Sequence, residues 1–228
     1  MHQPTTDDYI RQLQDSDKDI RRNAAWRLGR VRDITVITPL LDALHDSEAE
    51  VRVRVAEALS GQRDPRIAPA VMDALQTEAD HDTRVQLIRT LGYQDAPEAV
   101  SMLEPLLEAD TTSENRSAAA APLGELHAFA SPDTLRRLVS TLSTEAEIVT
   151  RHQIAQTLQR IGGSEVSTAL AQALHPALDE AVQLQMIELL GLLGNTSDMA
   201  ARDALQPFMD SPFDSVRETA EWAFSRLH

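Results

Sequence analysis

Carboxylates and arginines recur together along this sequence. An acidic residue stands six positions before an arginine in five places: Asp15/Arg21, Asp46/Arg52, Glu78/Arg84, Asp110/Arg116 and Glu145/Arg151. The planar guanidinium matches a carboxylate with two parallel N–H donors, and a carboxylate in a turn also accepts N–H groups at a helix N-terminus. The sequence leaves open whether each arginine pairs with the acid of its own unit or of the next. Because the pair recurs, we expect a structural ladder and not one reactive site.

A second row of carboxylates is formed by Asp42, Asp73 and Glu104, which follow one another at intervals of 31 residues. Helices that stack in register lie about 8–10 Å apart. Like charges at that spacing in water repel by only about 0.4 kcal/mol, so a solvated surface tolerates the row. The same row suits a basic segment of a partner protein. Carboxylates so far apart cannot share one metal ion.

The histidines do not form a metal-binding or catalytic set. His45-Asp46 and His81-Asp82 are adjacent pairs, but they stand 36 residues apart in turns and no further ligands converge on them. A Ser-His-Asp set, a P-loop and a dinucleotide-binding glycine motif are all absent from the sequence. We therefore expect no catalytic residue, no metal and no cofactor.

Composition excludes several further classes. Of 228 residues, 36 are acidic and 21 basic, giving a net charge of -15, and there is no cysteine. The acidity argues against non-specific binding to nucleic acid, and the lack of cysteine excludes disulfides and thiolate metal sites. No apolar run reaches the roughly 18 residues of a membrane span. The polar, acidic N-terminus is unlike a secretory signal, so we expect a cytoplasmic protein.

The elements that must position these side chains are helices in a repeat. An apolar residue followed by arginine, or by its equivalent, begins each unit at register positions 21, 52, 84, 116, 151, 183 and 217. Apolar residues follow at offsets of three, four and seven, which is the spacing of one helix face. A second apolar stretch follows in each unit, so each unit is a helix–turn–helix.

Glycine marks the ends of the first helices. All eight glycines fall there, and we expect them to adopt the left-handed conformation that ends a helix. Half-repeats complete the array, with a lone second helix over residues 7–14 and a lone first helix over 215–227. Six full pairs and two caps predict about 14 helices.

The unit D-x-x-x-x-V-R-x-x-A-A-x-x-L-G resembles the HEAT repeat, in the short form found in phycobilisome bilin lyases. Its best copy runs from Asp46 through Val51-Arg52, and the resemblance extends over residues 7–228. It implies an all-α, right-handed superhelix that forms one domain over residues 1–228, with the second helices on the concave face. Asp42, Asp73 and Glu104 would then line that face.

The resemblance leaves two functions open. One is a non-catalytic scaffold or adaptor that binds a protein partner on the concave face; the alternative is a bilin lyase-like activity. HEAT-like deoxyhypusine hydroxylases hold iron through His-Glu pairs, but only His152 matches that position here and Gln153 follows it. HEAT-like alkylpurine DNA glycosylases would need a basic, aromatic groove, which the second helices do not offer.

Two tryptophans stand out at the ends of the repeat array. Trp26 and Trp222 lie five residues after the register position in the first and last first helices, where the other units carry mostly polar residues. A large aromatic side chain in a polar position indicates either packing at the end of the stack or a contact surface for a partner.

Overall fold

Helices account for the regular structure of the chain. The computed structural model describes residues 4–109, 112–129, 131–195 and 197–227. Within these ranges there are fourteen α-helices and no β-strand. They are α1 (Thr6–Gln12), α2 (Lys18–Leu28), α3 (Ile37–Asp42), α4 (Ala49–Ser60), α5 (Ile67–Thr77), α6 (His81–Gly92), α7 (Glu98–Ala109), α8 (Ser113–Glu125), α9 (Pro132–Thr144), α10 (Ile148–Ile161), α11 (Gly163–Ala173), α12 (Glu180–Leu193), α13 (Met199–Leu205) and α14 (Asp214–Arg226).

The order of the helices follows the repeat. The even-numbered helices α2 to α14 are the first helices of successive units, and the odd-numbered helices are the second helices. Helices α1 and α14 are the two half-repeats, each within two residues of its predicted bounds. The predicted fold class, an all-α solenoid of paired helices, is confirmed. None of the helices in the described part of the chain has the length and apolar content to cross a lipid bilayer.

The chain divides into two compact units, residues 1–103 and 104–228, with the boundary inside α7. In the first unit, α4 packs between α2 and α6. In the second unit, α10 packs against α8 and α12 packs against α14. The prediction that residues 1–228 form a single domain stays a prediction.

Polar side chains cap the N-termini of several helices. Thr5 and Ser131 each form a reciprocal capping box, and Pro132 follows Ser131 at the first helical position. Asp198 is the N-cap of α13, and its carboxylate accepts the N–H of Ala201.

The predicted role of the glycines is wrong for most of them. Only Gly162 and Gly163 have positive φ, at 62° and 84°. Gly29 ends α2 in right-handed helical geometry, and Gly191 is buried within α12. A helix end therefore does not explain why these two positions carry glycine.

Close contact between successive first helices explains them instead. A Cβ atom at Gly29 would lie 2.8 Å from the Cα of Ala58 in α4. At Gly191 it would lie 2.9 Å from the Cα of Ala223 in α14 and 2.6 Å from the ring of Trp222. Each glycine lies eight residues after the register position of its own unit. The alanine that it faces lies six residues after the register position of the next unit. Glycine at this position lets the two backbones touch.

Replacing Gly29 with alanine should therefore destabilise the protein. The new methyl group meets backbone that cannot move aside, and overpacking of this kind costs about 1–3 kcal/mol. Gly61→Ala is the matched control, because Gly61 also ends a first helix in right-handed geometry but faces only the flexible end of Arg32, 3.3 Å away. We expect the control to be neutral or stabilising by up to about 1 kcal/mol. Urea unfolding measures both, and equal effects would contradict the contact argument.

Candidate functional site

Bidentate ion pairs connect successive turns in the first unit. Arg21 donates from Nε and Nη2 to the two carboxylate oxygens of Asp46, at 2.6 and 2.8 Å. Arg52 holds Glu78 in the same way, at 2.7 and 2.8 Å. These acids belong to the following unit. The structure therefore pairs each of these arginine side chains with the next acid and not with the acid six residues before it.

The remaining guanidinium nitrogen explains the six-residue spacing. Nη1 of Arg21 donates to the backbone carbonyl of Asp15 at 2.9 Å, and Nη1 of Arg52 donates to that of Asp46 at 2.8 Å. Arg84 likewise donates to the carbonyl of Glu78 at 3.2 Å. Each of these arginines thus donates from Nη1 to the backbone of its own turn. In Arg21 and Arg52, Nε and Nη2 also donate to the carboxylate of the next turn.

Each acid is also fixed within its own turn. Asp46, Glu78 and Glu145 accept the N–H of the residue two positions later, at 2.9, 2.8 and 3.0 Å. Asp15 accepts the N–H of Asp17 at 2.9 Å in the same manner. Because the residue two positions later is the N-cap of the next helix, the acid sits beside the positive end of that helix.

The same pair occurs in the second unit. Arg116 donates to both oxygens of Glu145 at 2.6 and 2.8 Å, and the Glu145 side chain is only 2% exposed. Arg151 donates from Nη1 to the carbonyls of Glu145 and Ala146. Asp110, the remaining acid of the predicted ladder, lies outside the described residues.

Hydrogen bonds and charge lower the pKa of the ladder acids. For Asp46 and Glu78, burial by itself raises the pKa, but the bonds from Arg21 and Arg52, with the turn N–H groups, hold it below the ordinary value. For Glu145 the bond from Arg116 is the largest effect and outweighs burial, so its pKa is also lowered. These carboxylates are therefore charged in the folded protein at neutral pH.

Buried threonines form a second set of links that the sequence reasoning missed. Thr90 donates its hydroxyl to the carbonyl of Ala56 in the preceding first helix, and Thr157 does the same to Ala120, both at 3.0 Å. Thr150 reaches the carbonyl of Ser113 at 3.1 Å. The sequence does carry a signal for these links. Two units have threonine both one residue before and six residues after the register position: Thr83 and Thr90 around position 84, and Thr150 and Thr157 around position 151.

The second-helix carboxylates have different surroundings. Asp42 and Asp73 are exposed, and neither carboxylate has an ion pair or hydrogen bond with any residue that the structure describes. Glu104 is half-buried, accepts the hydroxyl of Thr134 and lies 3.7 Å from Nε of Arg137. Asp42 and Asp73 thus remain available to a partner, whereas Glu104 already has partners within its own unit.

Both tryptophans are partly exposed and contact arginines. Trp26 is 37% exposed, with the guanidinium carbons of Arg27 and Arg30 at 4.7 and 4.8 Å from the centre of its ring. Trp222 is 39% exposed and lies over Gly191, with Arg226 at 5.4 Å. Trp222 therefore packs at the end of the stack while it keeps an open face.

Chemistry-bearing residues do not converge elsewhere. Across residues 4–109, 112–129, 131–195 and 197–227, no group of three or more histidine, cysteine or acidic side chains is placed to hold a metal ion. His152 is exposed, and its ring Nε2 lies 2.9 Å from the side-chain nitrogen of Gln156.

A chain of similar helix pairs, each packed against its neighbours, has the architecture of the helical repeat proteins. The family described as HEAT repeats matches residues 6–84, 37–124 and 68–159, which together span well over half of the chain. The protein belongs to the HEAT-repeat family. No curated protein matches the chain significantly in sequence.

Solved structures share the fold at low sequence identity. The complex of CpcE and CpcF of phycocyanin lyase from Nostoc sp. matches with a TM-score of 0.61 and 18% identity, over 100% of this chain and 96% of that one. The karyopherin Kap121p bound to RanGTP matches at 0.73 and 14%, over 97% of this chain but 28% of that one. Human deoxyhypusine hydroxylase matches at 0.50 and 21%, over 97% and 95%. At these identities the likeness concerns the fold alone.

Replacing Glu145 with glutamine should cost stability at neutral pH. The variant leaves the guanidinium of Arg116 without its charged partner, and breaking a largely buried pair costs about 2–4 kcal/mol. Glu147→Gln is the matched control, because Glu147 is exposed and carries the same charge. Urea unfolding at pH 7 measures both, and equal losses would contradict the importance of the pair.

The difference between wild type and Glu145→Gln should also depend on pH. Since the pKa of Glu145 is lowered in the folded state, the pair's contribution is complete above the ordinary glutamate value of 4.5 and is lost as the pH falls through the lower folded value. The two free energies of unfolding should therefore converge in acid. A difference that stays constant down to acid unfolding would contradict this assignment.

Proposed function

We propose that this chain is a non-catalytic scaffold or adaptor in the cytoplasm that binds a partner protein on its second-helix face. The observation that carries the proposal is the contrast between two sets of carboxylates. Asp46, Glu78 and Glu145 are buried and paired, whereas Asp42 and Asp73 are exposed on the second helices without a partner in the described chain. The buried carboxylates link successive turns of the stack, whereas Asp42 and Asp73 form no such link among the described residues.

The partner we propose is a basic segment of a protein. Asp42 ends α3, and Asp73 occupies the equivalent position in α5, which packs against α3 in the same unit. Two uncommitted carboxylates on neighbouring helices, about one helix spacing apart, suit successive lysine or arginine side chains of an extended segment. Glu104 holds the corresponding register position in the second unit, where Arg137 already neutralises part of its charge.

Trp26 in the first unit and Trp222 in the second unit are further contact residues that we propose, each for its own unit. Each keeps more than a third of its surface exposed, and partly exposed tryptophans are enriched at protein interfaces. Their arginine neighbours hold the rings in place without covering them. We expect their fluorescence to change when a partner binds.

A comparison of captured proteins tests the proposal. Tagged wild type and the double variant Asp42→Asn with Asp73→Asn are incubated with native lysate, and retained proteins are quantified by mass spectrometry. Loss of two exposed ion pairs should weaken a genuine partner roughly two- to thirtyfold. Asp82→Asn with Asp95→Asn is the control, because both residues are exposed in the same unit and the charge change is equal. Identical protein sets for all three chains would remove this face as the binding surface.

A second candidate function is a lyase-like subunit that attaches a bilin to a phycobiliprotein. What supports it is the likeness to the CpcE and CpcF complex along the full length of both chains. Such a subunit needs no cysteine of its own, because the acceptor protein supplies the thiol. Coexpression with a bilin and an acceptor phycobiliprotein, alone and together with a second HEAT-like subunit, tests it. Absence of a coloured covalent adduct in both cases would dismiss this candidate.

A further inference from the structure

The turn that precedes α12 lacks the acid of the ladder. Ala177 lies 26 residues after Arg151, the same separation as between Arg52 and Glu78. Ala177 is exposed and has no carboxylate to offer. Gln183 replaces the register arginine of this unit and donates its amide to the carbonyls of Pro176 and Leu178. The arginine of the preceding unit, Arg151, therefore has no ladder carboxylate at the corresponding position of the next turn.

Arg151 keeps the orientation of a ladder arginine. Its Nη1 donates to the carbonyls of Glu145 and Ala146 at 2.8 and 2.9 Å, as Arg52 does in its own turn. The residue is only 8% exposed, yet it forms no ion pair with a carboxylate of the described residues. Its Nε and Nη2 have no hydrogen-bond partner among the described residues and are not completely enclosed. These two nitrogens are the edge with which Arg21 and Arg52 hold an acid.

A backbone donor stands at the matching position of the next turn. In the intact turns, the N–H of the N-cap residue two positions after the acid bonds to that acid, as Glu147 does to Glu145. Asp179 is the N-cap of α12 and has extended backbone angles close to those of Glu147. Its N–H therefore corresponds by register to the N–H that Glu147 donates to Glu145, although the loop before α12 is longer.

An exposed apolar pair lies next to these donors. Ile148 and Val149, in the first turn of α10, are 72% and 76% exposed. Ile148 lies one turn before Arg151, on the same side of the helix. The corresponding positions are Ala49-Glu50 in α4 and His81-Asp82 in α6. Nothing in the packing of the second unit requires two large apolar side chains in water at this place.

We propose that Arg151, the N–H of Asp179 and the Ile148-Val149 pair form a docking site for an aspartate or glutamate side chain of a partner protein, flanked by an apolar residue. The intact turns hold Asp46, Glu78 and Glu145, so the geometry accepts a side-chain carboxylate. A carboxylate that pairs with both free nitrogens of the guanidinium gains a bidentate, charge-assisted interaction. This site is distinct from the second-helix face. It would bind an acidic segment, whereas the second-helix face would bind a basic one.

Side-chain NMR of the full chain tests the site. The Nε–H resonance of Arg151 is assigned from its loss in Arg151→Lys, and wild type is titrated with the peptide N-acetyl-Glu-Leu-amide. We expect a saturable shift of this resonance. The matched peptide N-acetyl-Gln-Leu-amide, which lacks the carboxylate, should bind at least roughly tenfold more weakly. Equal shifts with both peptides, or no shift with the glutamate peptide, would overturn the proposal.

A substitution at Ala177 supplies an independent test, because this exposed position is not needed for folding. Ala177→Glu places a carboxylate opposite Arg151, whereas Ala177→Gln adds the same bulk without charge. We expect Ala177→Glu to unfold at a higher temperature than Ala177→Gln and to abolish the shift caused by the glutamate peptide, with Ala177→Gln retaining it. If the two variants unfold together, or if Ala177→Glu still responds to the peptide, Arg151 does not offer its fork to a carboxylate.

Discussion

The interaction on which the rest of the structure depends is the arginine that holds two turns at once. One guanidinium nitrogen fixes the backbone of its own turn, and the opposite edge of the fork takes the acid of the next turn. The acids Asp46, Glu78 and Glu145 have side chains between 2% and 8% exposed. Carboxylates this deep are tolerated only because a cation and an N-cap N–H both meet them. The same arrangement of arginine, carboxylate and N-cap N–H recurs at all three of these acids.

Close backbone contact between first helices completes the stack. Gly29 and Gly191 bring one helix against the backbone of the next, and the alanines that face them keep the gap small. Between other successive first helices, the hydroxyls of Thr90 and Thr157 donate to carbonyls of the neighbouring helix. These bonds satisfy the buried hydroxyls of both threonines, and the apolar register residues fill the surrounding core.

Much of the fold could be predicted from sequence because the repeat is periodic in both apolar residues and charge. Fourteen helices, the two half-repeats and the participation of Arg21, Arg52 and Arg116 all followed from that pattern. The partner of each arginine could not be predicted, because a spacing of six residues reflects a bond to the backbone and gives no sign of the side chain 25 to 29 residues ahead. Glycine was misread for a similar reason, since a contact with another helix leaves no local signature.

The candidate surfaces were harder to predict than the fold. The sequence marked Asp42, Asp73 and Glu104 as equivalent, but only three-dimensional packing shows that Glu104 has Thr134 and Arg137 beside it. Arg151 was placed in the ladder with the others, and its difference depends on what its neighbouring turn lacks. Exposure of Ile148 and Val149 likewise depends on the course of the chain around them.

The alanine at position 177 also bears on how the second unit opens. Helices α8 and α10 are joined by the Arg116–Glu145 pair and by threonine hydroxyls, so separating them exposes buried charge and unpaired carbonyls together. Between α10 and α12 the ion pair is replaced by apolar packing, and Gln183 bonds only within its own turn. Since repeats are stabilised by their nearest neighbours, we expect the α10–α12 interface to open more readily than the α8–α10 interface. We then expect α12 to α14 to separate from α10 as one block, with different amide exchange rates on the two sides of that interface.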